Sequence, residues 1–571
     1  MSCSHKYFML KTMCRTMKTS YVILCFTVLN LWTCSRGELF TAISDVEPLL
    51  ETHKKIIDDL DDYINKEESR LAVLKRHLVT YKNEHEKAME DIPNYLGNPI
   101  NAFTLIKRLT TDLDFIEQSI ETGTEYIKNI TILNNHADVK YPTLEDLAGA
   151  AQALTRLQET YHLEVGDLAE GRLNGVIYST SMSAGDCYEL GKALYNEKDY
   201  KNALAWMMVA LRKYHDENLE YPFTEVDILE YIGFSHYLLD DVKSALEWTR
   251  ELLSVDPKHV RALGNIPHYE KTLAEREAKL MKRRRGDTGE DDLEFFPEEK
   301  PEELTGYAKE RKVYEALCRG EMEIPSEISN KLKCRYLTEN HPFLKLAPIK
   351  MEYMYLKPDI IIFHDVISDN EIEHIKDLAK PRFRRATVHD PKTGELVPAH
   401  YRISKSGWLK DEESEVVARV SRRVADFTGL SMASAEELQV VNYGIGGHYE
   451  PHFDFARKQE NAFGNFNGNR IATVLFYMSD VAQGGATVFT ELGLSLFPRR
   501  RAAAYWLNLH ASGEGDLATR HAACPVLRGS KWVSNKWIHQ GGQELIKPCD
   551  LEYQDESMIR PLPKAVPKIF R

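Results

Sequence analysis

A short polar motif within a β-like stretch constrains this 571-residue chain more than any other feature. Residues 438–443 have the composition of a half-buried strand, and a glycine-rich turn at residues 444–447 follows them. His452 and Asp454 come next. Because residues two apart in an extended strand point to the same face, both side chains can converge on one ion. The motif predicts two ligands of a non-haem iron, with a second histidine completing a facial triad.

The His-x-Asp pattern is weak by itself, since the chain has 20 histidines and repeats the pattern at His136 and Asp138. His136 lies in a polar loop before a helical run, without a strand-like context. The context therefore favours the pair at His452 and Asp454.

Three later histidines, His510, His521 and His539, are candidates for the remaining ligand. Short strand-like segments separated by Gly, Pro and Asn turns predict a jelly-roll barrel, whose metal would draw ligands from strands distant in sequence. His521 is preferred because Lys531 follows ten residues later, where a returning strand could place its ammonium in the same barrel. A buried lysine needs an anion, and a dicarboxylic co-substrate would supply one.

With the segments 484–489 and 529–539, these residues resemble the 2-oxoglutarate dioxygenase domain of the collagen prolyl 4-hydroxylase alpha subunit family. The resemblance extends from the amino-terminal leader to Cys549. It implies Fe(II) held by His452, Asp454 and His521, with the distal carboxylate of 2-oxoglutarate on Lys531.

The same resemblance implies supporting roles for three further residues. Tyr443 would hydrogen-bond the co-substrate, Thr487 would line its pocket, and His539 would lie near it without binding the metal. The implied reaction hydroxylates peptidyl proline at C4 in X-Pro-Gly sequences of procollagen. It would consume O2 and 2-oxoglutarate and release succinate and CO2, with L-ascorbate restoring oxidised iron.

Residues 1–37 read as a signal peptide, because a basic amino end precedes an apolar core and small residues at the cleavage site. Several methionines precede that core, so the true start is open. No other stretch is apolar enough to span a membrane, so the mature protein is expected to be soluble in the secretory pathway. The resemblance implies that it stays in the endoplasmic reticulum lumen. Asn129 is an acceptor for glycosylation. A net charge of −14 argues against a nucleic-acid partner.

A heptad pattern dominates the predicted helical dimerisation region, residues 38–165. Its apolar residues recur at alternating spacings of three and four, as at Ile57, Leu60, Ile64, Leu71, Leu74 and Leu78. The pattern favours a coiled-coil hairpin or a dimer interface, and an amphipathic helix in a bundle is the alternative.

Residues 180–275 carry an internal repeat. Gly191, Ala203 and Ala210 fall at offsets of 0, 12 and 19, and Gly233, Ala245 and Leu252 repeat those offsets. Small residues at such points allow close helix packing, which predicts an α-helical tetratricopeptide-like (TPR-like) domain. Its aromatic residues predict a groove for an extended proline-rich peptide, unless they form the helical core: Tyr188, Tyr195, Tyr231, Phe234 and Tyr237.

The fold class expected is therefore multidomain α+β, in which a linker at 276–340 precedes a catalytic domain at 341–550 and a tail at 551–571. The linker is predicted from a basic cluster followed by an acidic, proline-containing stretch. Five cysteines remain beyond the leader. The family pattern implies disulfides Cys318–Cys334 and Cys524–Cys549 and leaves Cys187 free.

The carboxyl end, Lys568-Ile-Phe-Arg571, has no retention tetrapeptide, so a partner would have to keep the chain in the lumen. The resemblance implies protein disulfide isomerase as the beta subunit of an alpha2-beta2 tetramer. Two alternatives remain open. One is a peptide-binding protein with an inactive barrel, and the other is a hydroxylase of lysine or of a non-collagen proline.

Overall fold

The structure is a computed structural model that describes residues 47–121, 144–217, 219–285, 306–389, 396–398, 401–444, 446–457 and 468–551. The chain divides into two units, residues 1–82 with 122–125, and residues 83–121 with 126–571. The predicted signal peptide, the sequon at Asn129 and residues 552–571 of the predicted tail lie outside the described residues.

The amino-terminal region begins with one long helix, α1 (Glu47–Glu90). The predicted seam is largely open to solvent where its side chains are described, since Ile64, Leu71 and Leu78 are 46, 45 and 53% exposed, while Leu74 and Tyr81 are half-buried. Across all described residues, no helix is both long and apolar enough to cross a membrane.

Shorter helices complete this region: α2 (Ile92–Leu96), α3 (Pro99–Arg108), α4 (Thr111–Glu121), α5 (Leu144–Tyr161) and α6 (Val165–Ala169). A two-residue hairpin, β1 (Arg172–Leu173) with β2 (Val176–Ile177), follows them. The start of α3 is fixed locally, because the Asn98 side chain accepts from the backbone N–H of Ile100 and Pro99 occupies the first turn.

Five helices form the TPR-like domain: α7 (Ala184–Asn196), α8 (Tyr200–Asp216), α9 (Glu225–Leu238), α10 (Val242–Val255) and α11 (Val260–Arg285). Capping boxes at Ser183 and Thr224 define the starts of α7 and α9. The repeated small residues lie at helix crossings as predicted: a Cβ on Gly191 would meet Met207 at 3.1 Å, and one on Gly233 would meet Thr249 at 3.1 Å.

The carboxyl-terminal region, predicted above as the catalytic domain, is rich in β-sheet. Its larger sheet contains β3 (Cys334–Leu337), β4 (Ile349–Tyr355), β5 (Ile360–His364), β6 (Arg384–Arg385), β9 (Lys405–Leu409), β10 (Leu438–Tyr443), β12 (Arg470–Tyr477), β16 (Ala503–Leu507) and β19 (Lys531–His539). Their spatial order is β3-β4-β5-β16-β12-β19-β10-β9-β6. A hairpin of β7 (Thr387–His389) and β8 (Leu396–Pro398) lies outside it.

A smaller sheet has the order β11-β17-β14-β15 and consists of β11 (Tyr449–His452), β14 (Thr487–Phe489), β15 (Leu494–Leu496) and β17 (His521–Ala523). A further pair joins β13 (Gln483–Gly484) to β18 (Val526–Arg528). Side chains of both sheets, such as Tyr477, Val533, Phe489 and Ala523, pack into one cluster. Two of the predicted iron ligands, His452 and His521, lie on β11 and β17 of this sheet, and Asp454 follows β11 by two residues.

Four helices flank the sheets: α12 (Gly306–Cys318), α13 (Ser326–Ser329), α14 (Asp369–Ala379) and α15 (Glu415–Thr428). The predicted linker at 276–340 was too wide. Within it, α11 continues to Arg285, α12 packs through Tyr314 and Leu317 into a buried cluster, and β3 joins the larger sheet. The acidic composition that suggested a linker belongs to residues 286–305, which lie between these elements and outside the described part.

The predicted disulfides were wrong. Cys318 is bonded to Cys524, while Cys334 and Cys549 are exposed free thiols. Cys318 ends α12 on the smaller sheet, whereas Cys334 begins β3 at the edge of the larger sheet. Packing therefore joins cysteines 206 residues apart rather than near neighbours in sequence. Cys187 is free and buried, as the resemblance implied.

Candidate active site

Strand pairing brings the predicted metal ligands together. His452 at the end of β11 lies directly opposite His521 at the start of β17. The other neighbour of β17 is β14, where Phe489 lies opposite His521. Asp454 lies two residues beyond His452, just after the end of β11, so the two adjacent strands and this short extension bring the three ligands together.

The three side chains form a compact donor set. Nε2 of His452 lies 3.7 Å from Oδ1 of Asp454, and Nε2 of His521 lies 3.6 Å from Oδ2. The ligand atoms of the three residues all fall within 4.8 Å of one another. Two imidazoles and one carboxylate in this arrangement can hold a divalent transition metal on one face.

Hydrogen bonds to the other ring nitrogens leave Nε2 of His452 and Nε2 of His521 available to bind a metal. Nδ1 of His452 donates to the carbonyl oxygen of Glu450 at 2.7 Å, and Nδ1 of His521 donates to that of Thr519 at 2.9 Å. Each carbonyl can only accept, so the proton of each neutral ring is on Nδ1 and Nε2 presents a lone pair to the site. Burial, together with the neighbouring His521, lowers the pKa of His452 well below its ordinary value. The neutral, metal-binding form is thereby favoured.

Asp454 is oriented by a buried chain of hydrogen bonds. The Thr473 hydroxyl donates to Oδ2 of Asp454 at 2.8 Å, the Asn508 amide donates to Thr473 at 2.8 Å, and the Trp506 indole donates to Asn508 at 2.8 Å. Thr473, Asn508 and Trp506 are all almost fully buried. Burial alone would raise the pKa of Asp454, but His521, His452 and Arg470 hold it at about 2. The carboxylate is therefore ionised and fixed in direction.

A second buried network links His539 to the same aspartate. Its Nε2 contacts Glu436 at 2.8 Å, and its Nδ1 contacts the carbonyl oxygen of Gly468 at 2.8 Å. Glu436 also accepts two bonds from Arg470, whose Nη1 donates to the backbone oxygen of Asp454 at 3.3 Å. His539 thus reaches the metal ligands through Glu436 and Arg470, and its predicted proximity to the co-substrate stays a prediction.

Lys531 supplies a buried positive charge. It is 1% exposed, and its Nζ lies 5.3 Å from the centre of the Tyr443 ring. In the part of the chain that the structure describes, its ammonium is paired with no carboxylate, and burial lowers its pKa to about 7. A buried cation without a counter-ion fits an anionic ligand.

The other residues predicted to bind the co-substrate lie on the same inner surface. Tyr443 pairs directly with Lys531 across β10 and β19. The hydroxyl of Tyr477 donates to Thr487 at 3.0 Å. Gly485 has a positive φ of 67°, and a Cβ at this position would approach Cδ of Lys531 at 3.5 Å. Tyr443 therefore lies beside Lys531, whereas Thr487 is bonded to Tyr477 in the buried layer between the two sheets, and its predicted place in the co-substrate pocket stays a prediction.

A cavity of about 730 Å³ opens beside His452. Its walls come from α5, α12 and β11, through residues including Arg156, Tyr314 and Glu450. The Arg156 guanidinium donates to the carbonyl oxygen of Gly446 at 2.9 Å, which joins α5 to the turn before β11. The cavity beside His452 is therefore walled partly by two helices that precede β11 in sequence.

A separate groove of about 390 Å³ lies in the TPR-like domain. Tyr188, Tyr195, Tyr231 and Phe234 line it, with Tyr195 and Tyr231 edge to face at 5.0 Å. Tyr188 is also part of the helical core, since it is 6% exposed and its ring stacks on that of Phe223 with the ring centres 4.0 Å apart. Tyr237 packs on Tyr269 at 4.9 Å and is not among the residues lining this groove.

Sequence reasoning missed the residues that orient the site: Thr473, Asn508, Trp506, Glu436 and Arg470. Threonine and asparagine on β-like segments are common in any sheet, so only their place beside Asp454 distinguishes them. The one available signal was the hydroxyl of Thr473 within the apolar run at residues 472–476, because β12 is buried on both faces there and a buried hydroxyl needs a partner.

Comparison with known proteins accounts for most of the chain. Residues 42–175 match the family described as prolyl 4-hydroxylase alpha-subunit, N-terminal region. Residues 184–275 match the prolyl 4-hydroxylase peptide-substrate-binding domain, and residues 438–539 match the 2OG-Fe(II) oxygenase superfamily.

Individual relatives can be aligned with this chain along nearly its whole length. The chain is 48% identical to prolyl 4-hydroxylase subunit alpha-2 of Caenorhabditis elegans over 91% of this chain and 94% of that protein. It is 45% identical to subunit alpha-1 of Homo sapiens over 93% of this chain and 99% of that protein. A solved viral collagen prolyl hydroxylase from Paramecium Bursaria Chlorella virus-1 is 23% identical, with a TM-score of 0.26 over 31% of this chain and 94% of that one. The resemblance read from the sequence is confirmed, and the chain belongs to the family of prolyl 4-hydroxylase alpha subunits.

Proposed function

We propose that this chain is the catalytic alpha subunit of a procollagen-proline 4-hydroxylase, which uses O2 and 2-oxoglutarate and releases succinate and CO2. The observation that carries the proposal is the group of His452, Asp454 and His521 on one side of the barrel with the uncompensated cation of Lys531 in the same interior. A facial triad next to an anion site is the minimum that such chemistry requires.

The residues fit both groups that the family implies. Two imidazoles with free Nε2 atoms and an ionised carboxylate form a donor set suited to Fe(II). Lys531 fits the distal carboxylate of 2-oxoglutarate. When bound, the iron and 2-oxoglutarate together supply the oxidising chemistry that turns a prolyl C4–H into C4–OH.

The protein's own task is to bind and orient. The carbonyls of Glu450 and Thr519 fix the two imidazole rings, and Thr473 fixes the carboxylate. Lys531 would anchor one end of 2-oxoglutarate and so set the direction of the other, with Tyr443 donating a hydrogen bond and Thr487 lining the pocket. Burial raises the pKa of Tyr443 to about 12, so its hydroxyl remains a donor at neutral pH.

The peptide substrate would be held at two places. The aromatic groove of the TPR-like domain suits a proline-rich segment in the polyproline II conformation, because flat rings pack well on proline rings. The cavity beside His452 would admit the proline that reacts. The substrate class that we assign is the X-Pro-Gly sequence of procollagen.

The same proposal covers the assembly and the cellular setting. We assign the two-sheet barrel to the double-stranded β-helix (jelly-roll) fold and the exposed seam of α1 to a coiled-coil contact with a second alpha subunit. Protein disulfide isomerase would complete an alpha2-beta2 tetramer in the endoplasmic reticulum lumen. The predicted signal peptide, glycosylation at Asn129 and dependence on L-ascorbate belong to this assignment.

The test is succinate release and mass gain on a Pro-Pro-Gly repeat peptide. The chain would be co-expressed with protein disulfide isomerase, with His521→Ala as the comparison. Turnover that requires Fe(II), 2-oxoglutarate and His521 supports the proposal. Peptide binding without turnover under any condition would favour the inactive-barrel alternative. Succinate formed only with a lysyl or non-collagen peptide would keep the chemistry and overturn the substrate.

A further inference from the structure

Helix α12 lies outside the segment that matches the oxygenase superfamily, yet it covers the strand that carries His521. Side chains alternate along β17: Ala523 packs inside the barrel, and Ala522 packs outward against Tyr314 and Leu317 of α12. Small outward residues let the helix approach closely. The smaller sheet therefore has the metal ligands on one face and α12 on the other.

An ion pair fastens α12 to the residue before His521. Glu310 of α12 accepts from Nε and Nη2 of Arg520, the latter at 3.1 Å, and also from the hydroxyl of Thr490 at 3.2 Å. The Glu310 and Arg520 side chains are 15 and 27% exposed, so solvent screens the pair only partly. The Arg520 guanidinium also lies 5.1 Å from the ring centre of Phe453, the residue between His452 and Asp454.

Other contacts fasten α12 at the far end of β17. Cys318 is bonded to Cys524, which follows β17 directly. The Tyr314 hydroxyl donates to the carbonyl oxygen of Ala523 at 3.4 Å, and the Ser495 hydroxyl on β15 donates to that of Leu317 at 2.9 Å. The three-residue strand with the metal ligand is thus held to one helix at both ends.

We propose that α12 is a positioning element of the iron site, acting chiefly through the contact of Glu310 with Arg520. This contact fixes the start of β17, and hence His521, and it holds Phe453 between the other two ligands. A strand of three residues makes few ladder hydrogen bonds of its own, and a metal site tolerates only about 0.5 Å of misplacement in its ligands. The inference rests on the proposed Fe(II) site and adds a part of the chain that the oxygenase match does not include.

The test is Fe(II) affinity in the absence of peptide. Full-length protein would be stripped of metal and titrated anaerobically with Fe(II) in the presence of 2-oxoglutarate, and the visible charge-transfer absorption would be followed. Glu310→Gln keeps the shape of the side chain and removes its charge. We expect its Fe(II) Kd to rise about tenfold, the lower end of the range seen when groups that support metal ligands are removed, with a shift in the absorption maximum.

Two further variants make the outcome decisive. Glu371→Gln removes the charge of another buried carboxylate that pairs with an arginine, Arg423, and it should lower stability without changing the Kd. Thr490→Val removes only the second donor to Glu310, and its Kd should rise two- to threefold even if Glu310→Gln fails to fold. Wild-type Kd values in both Glu310→Gln and Thr490→Val would overturn the role of α12. A wild-type chain that binds no Fe(II) would instead refute the proposed function.

Discussion

The iron site and the peptide groove are built in opposite ways. At the iron site, each ligand has a hydrogen bond that fixes its direction, and the groups that provide these bonds, on Glu450, Thr473 and Thr519, lie up to 69 residues apart in the sequence (519 − 450). In the groove, Tyr195 and Tyr231 come from the neighbouring helices α7 and α9 and contact each other through their rings. Metal binding requires fixed directions, whereas a proline-rich peptide requires apolar area. A single substitution should therefore cause a large loss of ligand affinity at the iron site and only a small loss of peptide affinity in the groove.

The largest expected effect tests whether one buried charge governs co-substrate binding. Lys531→Met should reduce 2-oxoglutarate affinity by about 100-fold, because the distal carboxylate would lose its buried cationic partner and such losses amount to roughly 2–5 kcal/mol. An anaerobic titration of the Fe(II)-loaded chain with 2-oxoglutarate measures it. Tyr231→Ala in the groove is the control and should leave this affinity unchanged. Equal affinities for Lys531→Met and wild type would remove Lys531 from the co-substrate site.

The pH dependence of 2-oxoglutarate affinity gives a second test of the charge on Lys531. Burial lowers the pKa of Lys531 to about 7 from an ordinary value of 10.5, so above pH 7 the ligand-free protein holds a neutral amine. Binding of the dicarboxylate must then take up a proton, and affinity should fall by up to tenfold per pH unit above 7. Lys531→Met should show no such slope. A wild-type profile that stays flat from pH 7 to 9 would contradict the assignment.

The stability of the ligand-free protein should change with pH in the opposite direction to the affinity for 2-oxoglutarate. Between pH 7 and 10.5 the unfolded chain carries a proton on Lys531 that the folded chain has lost. The free energy of unfolding contributed by this residue should therefore increase with pH across that window. Denaturant titrations of wild type and Lys531→Met at several pH values isolate the contribution as a difference.

A smaller effect is expected from the hydroxyl that orients Asp454. Thr473→Val keeps the side-chain shape but removes the 2.8 Å hydrogen bond to Oδ2, and Fe(II) affinity should fall about tenfold. Thr110→Val is the matched control, because Thr110 is also buried and donates at 2.8 Å to a backbone carbonyl, that of Ile106, in the amino-terminal region. Fe(II) titrations that agree for the two variants would show that the chain of bonds through Thr473 does not orient the ligand.

The smallest effect belongs to the groove. Tyr231→Ala should weaken binding of a proline-rich peptide about three- to tenfold, since a single aromatic contact is worth roughly 0.5–1.5 kcal/mol. Turnover at saturating peptide should not change. Tyr237→Ala, from the same helix but packed on Tyr269, should lower stability and leave peptide affinity intact. Calorimetry with a proline-rich repeat peptide measures the peptide affinity of both variants. A loss of affinity in Tyr237→Ala alone would show that the peptide binds near Tyr237 and not in this groove.

Much of the architecture was accessible from local patterns. The offsets at Gly191 and Gly233 predicted close helix crossings, because helix packing depends on spacing within one segment. The period of two in β-strands predicted that His452 and Asp454 converge, and the structure brings them together with His521 and buries Lys531 on β19. The pattern failed at residues 276–340, where composition indicated a linker although Tyr314 and Leu317 are buried.

The amino-acid sequence alone determined the family, the succession of helical and β-rich regions and the candidate metal ligands, because each depends on residue types at short, regular spacings. Only the tertiary structure decided which cysteines pair, which hydroxyl orients Asp454 and which helix supports His521. Cys318 and Cys524 lie 206 residues apart, and Glu310 and Arg520 lie 210 apart. Contacts over such separations follow from how layers pack, and no periodicity along the chain encodes them.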